Sequence, residues 1–262
     1  MQLNLNADLG ESFGAWKMGE DDALLGIVDS ANIACGFHAG DPLVMRRTVR
    51  AALAAGTSLG AHPAFPDLQG FGRRVMHMAP DELEAAIIYQ LGALTAMATA
   101  EGGQLSHVKP HGALNNMACE DAAMAATVAR AVKAFDAGLI LLAPVLSELA
   151  RAGEQAGLAV ALEVFADRAY TERATLVPRR EAGAVLHESS DCIAHVQGMI
   201  EAGGVVAVSG KVLKTPFHSI CVHGDNAHAV DTARQLRSSL EAGGHTLLPL
   251  PALFGRTVRT RP

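Results

Sequence analysis

The chain has 262 residues, of which 50% are hydrophobic and 18% are charged, and its formal net charge is −6. This length allows one large domain with a substantial core, and the acidic balance argues against nucleic acid or an anionic membrane as a partner. Four cysteines without a CxxC pair, and no evident signal peptide or membrane span, predict a cytoplasmic protein with reduced thiols.

Short β-like runs alternate with Ala-rich segments of helical period along the chain. Strands are predicted at 2–8, 31–36, 57–62, 105–111, 138–144, 158–165 and 219–225. Helices are predicted between them, at 41–55, 80–101, 120–134, 145–156, 190–202 and 226–242. Asp41 before Pro42 is typical of a helix N-cap, and Gly56 stands where a left-handed C-terminal residue is expected. The stretch 203–218 is predicted to form a hairpin before the last strand.

This alternation predicts a parallel sheet covered by helices, which is an α/β fold. No GxGxxG follows the first strand and no GxxxxGK[ST] occurs in the chain, so both nucleotide-binding fingerprints of open sheets are missing. Seven predicted strands without a linker between them favour a seven-stranded parallel β/α barrel, with residues 1–262 as a single domain.

Polar side chains follow six of the predicted strand ends. In a parallel barrel these carboxyl ends lie on one face, where the βα loops build the active site. Each residue alone could be a cap, a turn residue or a packed histidine, but their recurrence indicates a site. The strand-end candidates are Asp8, Glu11, His38, His62, Lys109, His111, Glu163, Asp167, Arg168, His223 and Asp225. Arg73, in a glycine-rich loop after the third strand, is a further candidate because an arginine fork binds carboxylate or phosphate well.

A metal site is an open alternative for part of this set. His38, His62 and Asp8 offer imidazole and carboxylate groups that suit zinc or manganese. No HExxH or similar local signature is present, and spacing alone does not show whether these side chains converge. Cys35 and Cys221 lie within strand runs, which favours buried thiols over nucleophiles.

Seven sequence blocks carry a family resemblance. They are NADLGESFG, ANIACGFHAGDP, GAHPAFPDLQGFGRR, HVKPHGAL, EVFADRAY, LVPRR and CVHGD. Their order resembles the LamB/YcsF family over about residues 2–250. The resemblance implies a barrel like that of polysaccharide deacetylases, and cleavage of 5-oxoproline (pyroglutamate) to glutamate coupled to ATP hydrolysis. It also implies ATP with Mg²⁺ as cofactor and two partner chains, the 5-oxoprolinase subunits B and C. One departure is Asn115, where the resemblance leads us to expect a tyrosine.

For such a reaction, Asp8 or Glu11 is the candidate base for water, and His62 or His111 is the candidate acid for the ring nitrogen. Lys109 is expected to stabilise the negative charge that develops on the substrate.

The remaining candidates are predicted to contact the substrate. They are His38, Arg73, Glu163, Asp167, Arg168, His223 and Asp225. Two rival functions stay open at this point: a stand-alone metal-dependent amidase or deacetylase, and a non-catalytic subunit that binds the lactam or a sugar. The first predicts activity without ATP, and the second predicts ligand binding that survives loss of the candidate catalytic residues.

Overall fold

The computed structural model describes residues 1–222 and 229–256, and parallel strands form its centre. The strands of this part of the chain are β1 (Gln2–Leu9), β2 (Ser30–Ala34), β3 (Ser58–His62), β4 (Leu105–Val108), β5 (Ile140–Pro144), β6 (Ala159–Phe165), β7 (Gly204–Val206), β8 (Val212–Lys214), β9 (Ser219–Val222) and β10 (Thr246–Leu247). Strands β1 to β6 and β9 pair in that order, and β9 pairs back with β1. The predicted closed barrel of seven parallel strands is confirmed.

The register of the closing strand is set on both of its sides. In β9, Ile220 stands opposite Leu5 of β1 and opposite Val164 of β6, and both pairings are parallel. Strands β7 and β8 pair with each other in antiparallel fashion, which confirms the predicted hairpin before the last barrel strand.

Helices connect the barrel strands on the outside. Those of the described residues are α1 (Asp21–Leu25), α2 (Pro42–Ala55), α3 (Pro80–Ala100), α4 (Gly112–Glu120), α5 (Ala122–Phe135), α6 (Glu148–Gln155), α7 (Ser189–Ala202), α8 (Ala229–Ala242) and α9 (Leu250–Leu253). The six predicted helices are confirmed within a few residues. The short helices α1, α4 and α9 were not predicted.

Helix α2 shows how the local sequence fixes an element. The Asp41 carboxylate accepts hydrogen bonds from the amides of Leu43 and Val44, at 2.9 and 3.2 Å, and Pro42 occupies the first turn. Gly56 ends the helix at a φ of 73°. Asp41 is therefore a helix cap, as predicted.

The two faces of β1 have different chemistry. Its Leu3 and Leu5 belong to the main hydrophobic core. The alternate residues belong to hydrogen-bonded networks among the strands: the Asn4 amide donates to the Ser30 hydroxyl at 2.9 Å, and the Asn6 amide donates to Glu163 at 2.9 Å. Because strand side chains alternate between faces, one strand serves both an apolar layer and a polar barrel interior.

The polar interior extends to His107, which lies within β4 and is fully buried. Its Nε2 lies 3.0 Å from the Asn32 side-chain oxygen, and Asn32 in turn donates to Asn6 at 2.7 Å. Burial and the nearby Lys109 ammonium lower the pKa of His107 to about 3, so the imidazole is neutral.

Helix α3 is 21 residues long and, by length and composition, is the one helix of the described chain that could cross a membrane. Its buried residues include Leu83, Ile87, Leu91 and Leu94, and all four belong to the main hydrophobic core. This spacing is that of a helix packed by one face in a helical layer.

Candidate functional site

A cavity of about 630 Å³ opens at the carboxyl ends of the barrel strands. Seven of the predicted site residues line it: Asp8, Glu11, His62, Arg73, Lys109, His111 and Arg168. Residues from separate strand ends thus lie around one cavity, and their role in a site stays a prediction. His223 and Asp225 lie outside the described residues.

Three predicted residues of the described chain do not line the cavity. His38 and Glu163 are completely buried directly behind it, where each contacts a residue that does line it. Asp167 is turned to another side and borders a small depression with Leu186 and Cys192. The substrate contact of Asp167 stays a prediction.

Lys109 is the centre of a buried ion-pair group at the barrel end of the cavity. Its Nζ lies 2.9 Å from Asp8 Oδ1, 3.0 Å from Glu163 Oε1 and 3.0 Å from Cys221 Sγ. Asp8 also accepts a hydrogen bond from the Asn32 amide at 2.9 Å. Four strands or strand ends, β1, β4, β6 and β9, are tied together by this single ammonium.

The charges of this group follow from its surroundings. Burial alone would lower the pKa of Lys109, but Asp8, Cys221 and Glu163 outweigh it and raise the pKa well above its usual value. The ammonium is therefore permanently charged. Burial raises the pKa of the Cys221 thiol, against the opposing effect of Lys109, so the thiol is protonated and is not a nucleophile. Burial also raises the pKa of Glu163, which Lys109 partly opposes.

Three histidines and one glutamate form a compact cluster beside Asp8. The rings of His38 and His111 stack at 3.8 Å with an interplanar angle of 7°, and His62 meets both rings edge-on. His62 Nε2 lies 3.0 Å from His111 Nδ1, and Glu11 Oε1 lies 3.0 Å from His38 Nε2. One ligand atom from each of the four side chains falls within 4.8 Å of all the others.

Electrostatics keep two of these imidazoles neutral. Burial and the adjacent His62 lower the pKa of His38 well below its usual value. Burial, His38 and His62 do the same for the pKa of His111. Burial also raises the pKa of Glu11, an effect that His111 partly opposes.

The donor set of this cluster suits a metal ion. Imidazole nitrogen with one carboxylate is a combination that binds zinc, manganese, iron, cobalt or nickel. His38 also has a buried ring nitrogen, Nδ1, without a hydrogen-bond partner among the residues that the structure describes. The cluster differs from the predicted metal set in one respect, since Glu11 and His111 join His38 and His62 while Asp8 stands beside them.

The loop after β3 fits tightly against the cluster. Phe71 adopts a φ of 54°, which is uncommon for a residue with a side chain, and its carbonyl oxygen lies 2.8 Å from His111 Nε2. Gly72 follows at a φ of 63°, and a Cβ atom there would come within 2.8 Å of the His111 ring and 2.9 Å of His38. Phe71 was not among the predicted site residues, although the surrounding Gly-Phe-Gly signalled a close backbone approach.

Arginines form the outer wall of the cavity. Arg168 is buried, donates to the backbone oxygens of Val177 at 2.7 Å and Ala184 at 3.3 Å, and so folds the loop after β6. Burial first, and then repulsion from Arg179, lower its pKa to about 10. Arg73 also lines the cavity, with its guanidinium carbon 4.9 Å from the centre of the Phe71 ring. The wall therefore concentrates positive charge.

Asn115 lines the same cavity from helix α4. It is 6% exposed, and its side-chain oxygen has no hydrogen-bond partner within the described part of the chain. A buried amide oxygen without a partner, on a residue that lines a cavity, is a position where a ligand can donate a hydrogen bond.

Comparisons with known proteins agree with the sequence blocks. A family model described as the LamB/YcsF family matches residues 3–254. The chain is 71% identical over 253 residues to a protein of Azoarcus sp. (strain BH72) that is named as the A subunit of 5-oxoprolinase, and the match covers 97% of this chain and 99% of that protein.

Two solved structures are similar to this one. The lactam utilization protein from Thermus thermophilus superposes with a TM-score of 0.89 at 42% identity, over 95% of this chain and 100% of that chain. A peptidoglycan N-acetylglucosamine deacetylase superposes with a TM-score of 0.53 at 14% identity, over 98% of this chain and 90% of that one. The second likeness concerns the fold alone, and it confirms the expected deacetylase-like barrel.

Proposed function

Because the chain belongs to the LamB/YcsF family, we propose that it acts as the A subunit of a 5-oxoprolinase, which cleaves 5-oxo-L-proline to L-glutamate coupled to ATP hydrolysis. The name of the Azoarcus relative, at 71% identity, supports this assignment. The Thermus relative is described as a lactam utilization protein, which points to the same class of substrate.

One structural observation carries the proposal: a carboxylate held by a permanently charged ammonium faces a cavity with a cationic wall. Asp8 and Lys109 supply the pair at a distance of 2.9 Å, and both line the cavity. Arg73 and Arg168 lie in the lining as well. A base beside a group of cations suits an anionic substrate that is attacked by water.

A lactam is a stabilised amide, so its carbonyl carbon is a poor electrophile. Transfer of the γ-phosphoryl group of ATP to the lactam oxygen makes the carbonyl carbon a better electrophile. Water then adds to the carbon, and breaking of the carbon–nitrogen bond leaves an amine and an acyl phosphate. A second water hydrolyses the acyl phosphate. One lactam, one ATP and two waters thus give glutamate, ADP and phosphate.

Asp8 is the base in this scheme. Its Oδ1 is held by Lys109 and Asn32, so the carboxylate is fixed at the cavity. It takes a proton from the attacking water and returns that proton to the departing ring nitrogen. We assign the return to Asp8, rather than to His62 or His111, because one ring nitrogen of each histidine is already hydrogen-bonded to a backbone carbonyl oxygen.

Lys109 and the arginines have different roles in this scheme. Lys109 places its ammonium 2.9 Å from Asp8 Oδ1 and so holds a positive charge beside the base. Arg73 and Arg168 bind the substrate carboxylate or the phosphoryl group, whose charges match theirs. The cavity of about 630 Å³ has room for both groups together.

ATP use requires more than this chain. The sequence contains neither of the glycine-rich nucleotide fingerprints, so we propose that subunits B and C take part in phosphoryl transfer, with Mg²⁺ bound to the nucleotide. A cytoplasmic location, where ATP is available, follows from this role.

The test is an assay of glutamate and ADP formation from 5-oxoproline and ATP. The chain is assayed alone, subunits B and C are assayed without it, and all three are assayed together. Glutamate release only by the complete set, with one ADP formed per glutamate, supports the proposal. Release by this chain without ATP supports the amidase, and undiminished turnover by a complex that carries Asp8→Asn supports the non-catalytic subunit.

A further inference from the structure

His62 and His111 face each other, and each directs one ring nitrogen towards the other. His62 Nδ1 lies 2.6 Å from the Lys109 carbonyl oxygen, and His111 Nε2 lies 2.8 Å from the Phe71 carbonyl oxygen. A carbonyl oxygen only accepts, so both of these nitrogens carry the hydrogen. In a neutral imidazole the other nitrogen then carries a lone pair. His62 Nε2 and His111 Nδ1 are the two remaining ring nitrogens, and they lie 3.0 Å apart.

Two carboxylate oxygens lie next to these ring nitrogens. Asp8 Oδ2 lies 3.3 Å from His62 Nε2, and Glu11 Oε1 lies 3.4 Å from His111 Nδ1. Ionised carboxylates also only accept hydrogen bonds. Two ring nitrogens and two carboxylate oxygens thus meet at one buried place.

We propose that this point holds a divalent transition-metal ion, bound by His62 Nε2, His111 Nδ1 and the carboxylate of Glu11. Two ligands at about 2.0–2.1 Å from a metal, in cis or tetrahedral arrangement, lie about 3.0–3.4 Å apart. The separations of 3.0 and 3.4 Å in this cluster match that range. The two imidazole ligands favour a transition metal such as zinc, iron or nickel over magnesium and calcium, which prefer oxygen ligands.

The surroundings of the three ligands have the form expected around a metal. Each ligating histidine donates its other ring hydrogen to a backbone carbonyl, which fixes the tautomer and aims the lone pair. His38 is a positioning residue in this arrangement, because its Nε2 donates to Glu11 at 3.0 Å while its ring stacks on His111. The left-handed turn at Phe71 and Gly72 delivers the carbonyl that holds His111.

The role of the ion rests on the proposed function, whereas its presence does not. Such an ion supplies Lewis acidity to a substrate oxygen or a water next to it. Asp8, at the edge of the cluster and in the cavity lining, is the base beside that position.

The test measures metal directly in the full chain, purified without a histidine tag and without substrates. Elemental analysis of the wild-type chain is expected to find about one equivalent of a transition metal, and chelator-treated protein is expected to take up about one equivalent of Co²⁺ with visible absorption bands. His62→Ala and His111→Ala are expected to retain less than about a tenth of the metal. His77→Gln is the matched control, since His77 is exposed and outside the cluster, and it should bind metal like the wild type.

A single proton is the competing occupant, because an imidazolium could donate a hydrogen bond across the same 3.0 Å. The proposal is overturned if the wild-type chain lacks metal, the stripped chain binds no Co²⁺, Zn²⁺ or Mn²⁺, and ¹⁵N NMR finds an imidazolium at His62 or His111. If the alanine variants do not fold, two other measurements test the proposal. The chelator-treated wild type is titrated with Co²⁺, and the metal content of the milder Glu11→Gln variant is compared with that of the wild type. A chain that binds metal but fails in the glutamate assay overturns the proposed function alone.

Discussion

Lys109 and Asp8 form a buried ion pair, with Nζ 2.9 Å from Oδ1, although they belong to the ends of different strands. Their side chains are 3% and 10% exposed. The same ammonium lies 3.0 Å from Glu163, which is completely buried. One positive charge therefore balances two carboxylates, and its removal leaves both without this cation in a low-dielectric place.

Replacing Lys109 by methionine tests this balance. Lys109→Met is expected to lower the free energy of unfolding by about 3–5 kcal/mol, because two buried carboxylates then face each other uncompensated. Glutamate formation by the three-subunit enzyme is expected to disappear. Urea denaturation and the coupled assay measure the two effects separately.

A second substitution separates folding from activity. Adding Glu163→Gln to Lys109→Met removes one of the uncompensated charges, so part of the lost stability is expected to return while activity does not. Lys211→Met is the control, since Lys211 forms an exposed pair with Glu172 and should change stability by less than about 1 kcal/mol. Full activity in Lys109→Met would contradict the role of Lys109.

Asp8→Asn tests the base itself. The amide keeps the size of the side chain and one oxygen for Lys109, but it cannot accept a proton from water. Glutamate formation is expected to fall by about 10²–10⁴-fold, with little change in the concentration of 5-oxoproline at half-maximal rate. A variant with wild-type turnover would remove Asp8 from the mechanism.

Two adjacent arginines allow a test of the cationic cavity wall, one as the test position and the other as its control. Arg179 lines the cavity, whereas Arg180, the next residue, is exposed outside it. Arg179→Met is expected to raise the KM for 5-oxoproline about 5- to 50-fold through loss of a charged contact with the anionic substrate, and Arg180→Met is expected to leave it unchanged. Equal effects of the two substitutions would indicate long-range charge rather than contact.

The sequence predicted the barrel because its main signals are local. The alternation of Leu3, Asn4, Leu5 and Asn6 marks a strand with two different faces, and Asp41 and Gly56 mark the ends of one helix. Helix α4 was missed because its first residue is Gly112, which lacks any capping signal, and because the break at Asp121 separates it from α5 by one residue. That residues 1–262 form one domain stays a prediction.

The sequence indicated which residues lie at the cavity better than it indicated how they contact one another. Position after a strand end placed Asp8, Lys109 and His111 on one face of the barrel. The orientation of His62 and His111 depends on hydrogen bonds to the backbone carbonyls of Lys109 and Phe71. Such main-chain contacts cannot be predicted from the type of the residue that provides them. Asp167 follows a strand as well, yet it borders a separate small depression with Cys192 and does not line the cavity.

Asn115 is predicted to bind the lactam directly. Its side-chain oxygen is buried at the cavity without a partner among the described residues, so it can accept a hydrogen bond from the ring N–H of 5-oxoproline. Asn115→Ala is expected to raise KM by about 5- to 150-fold, with a smaller change in kcat. Gln104→Ala, an exposed amide outside the cavity, should leave both constants unchanged. An unchanged KM in Asn115→Ala would show that the lactam binds elsewhere in the cavity.

Asp21 lies near the site and is predicted to make the free energy of unfolding depend on pH. Its Oδ2 accepts a hydrogen bond from the Gly10 amide at 2.9 Å, next to Glu11, and burial raises its pKa from 3.8 to about 6. The folded chain thus binds this proton more tightly than the unfolded chain, so the stabilisation is complete below about pH 4 and is lost as the pH rises through about 6. Asp21→Asn imitates the protonated carboxyl and does not titrate. The unfolding free energy of the wild type, relative to this variant, is expected to fall by up to about 3 kcal/mol between pH 4 and pH 7. Urea denaturation of both proteins across that range measures the difference, and a difference that stays constant with pH would show that Asp21 titrates normally in the folded chain.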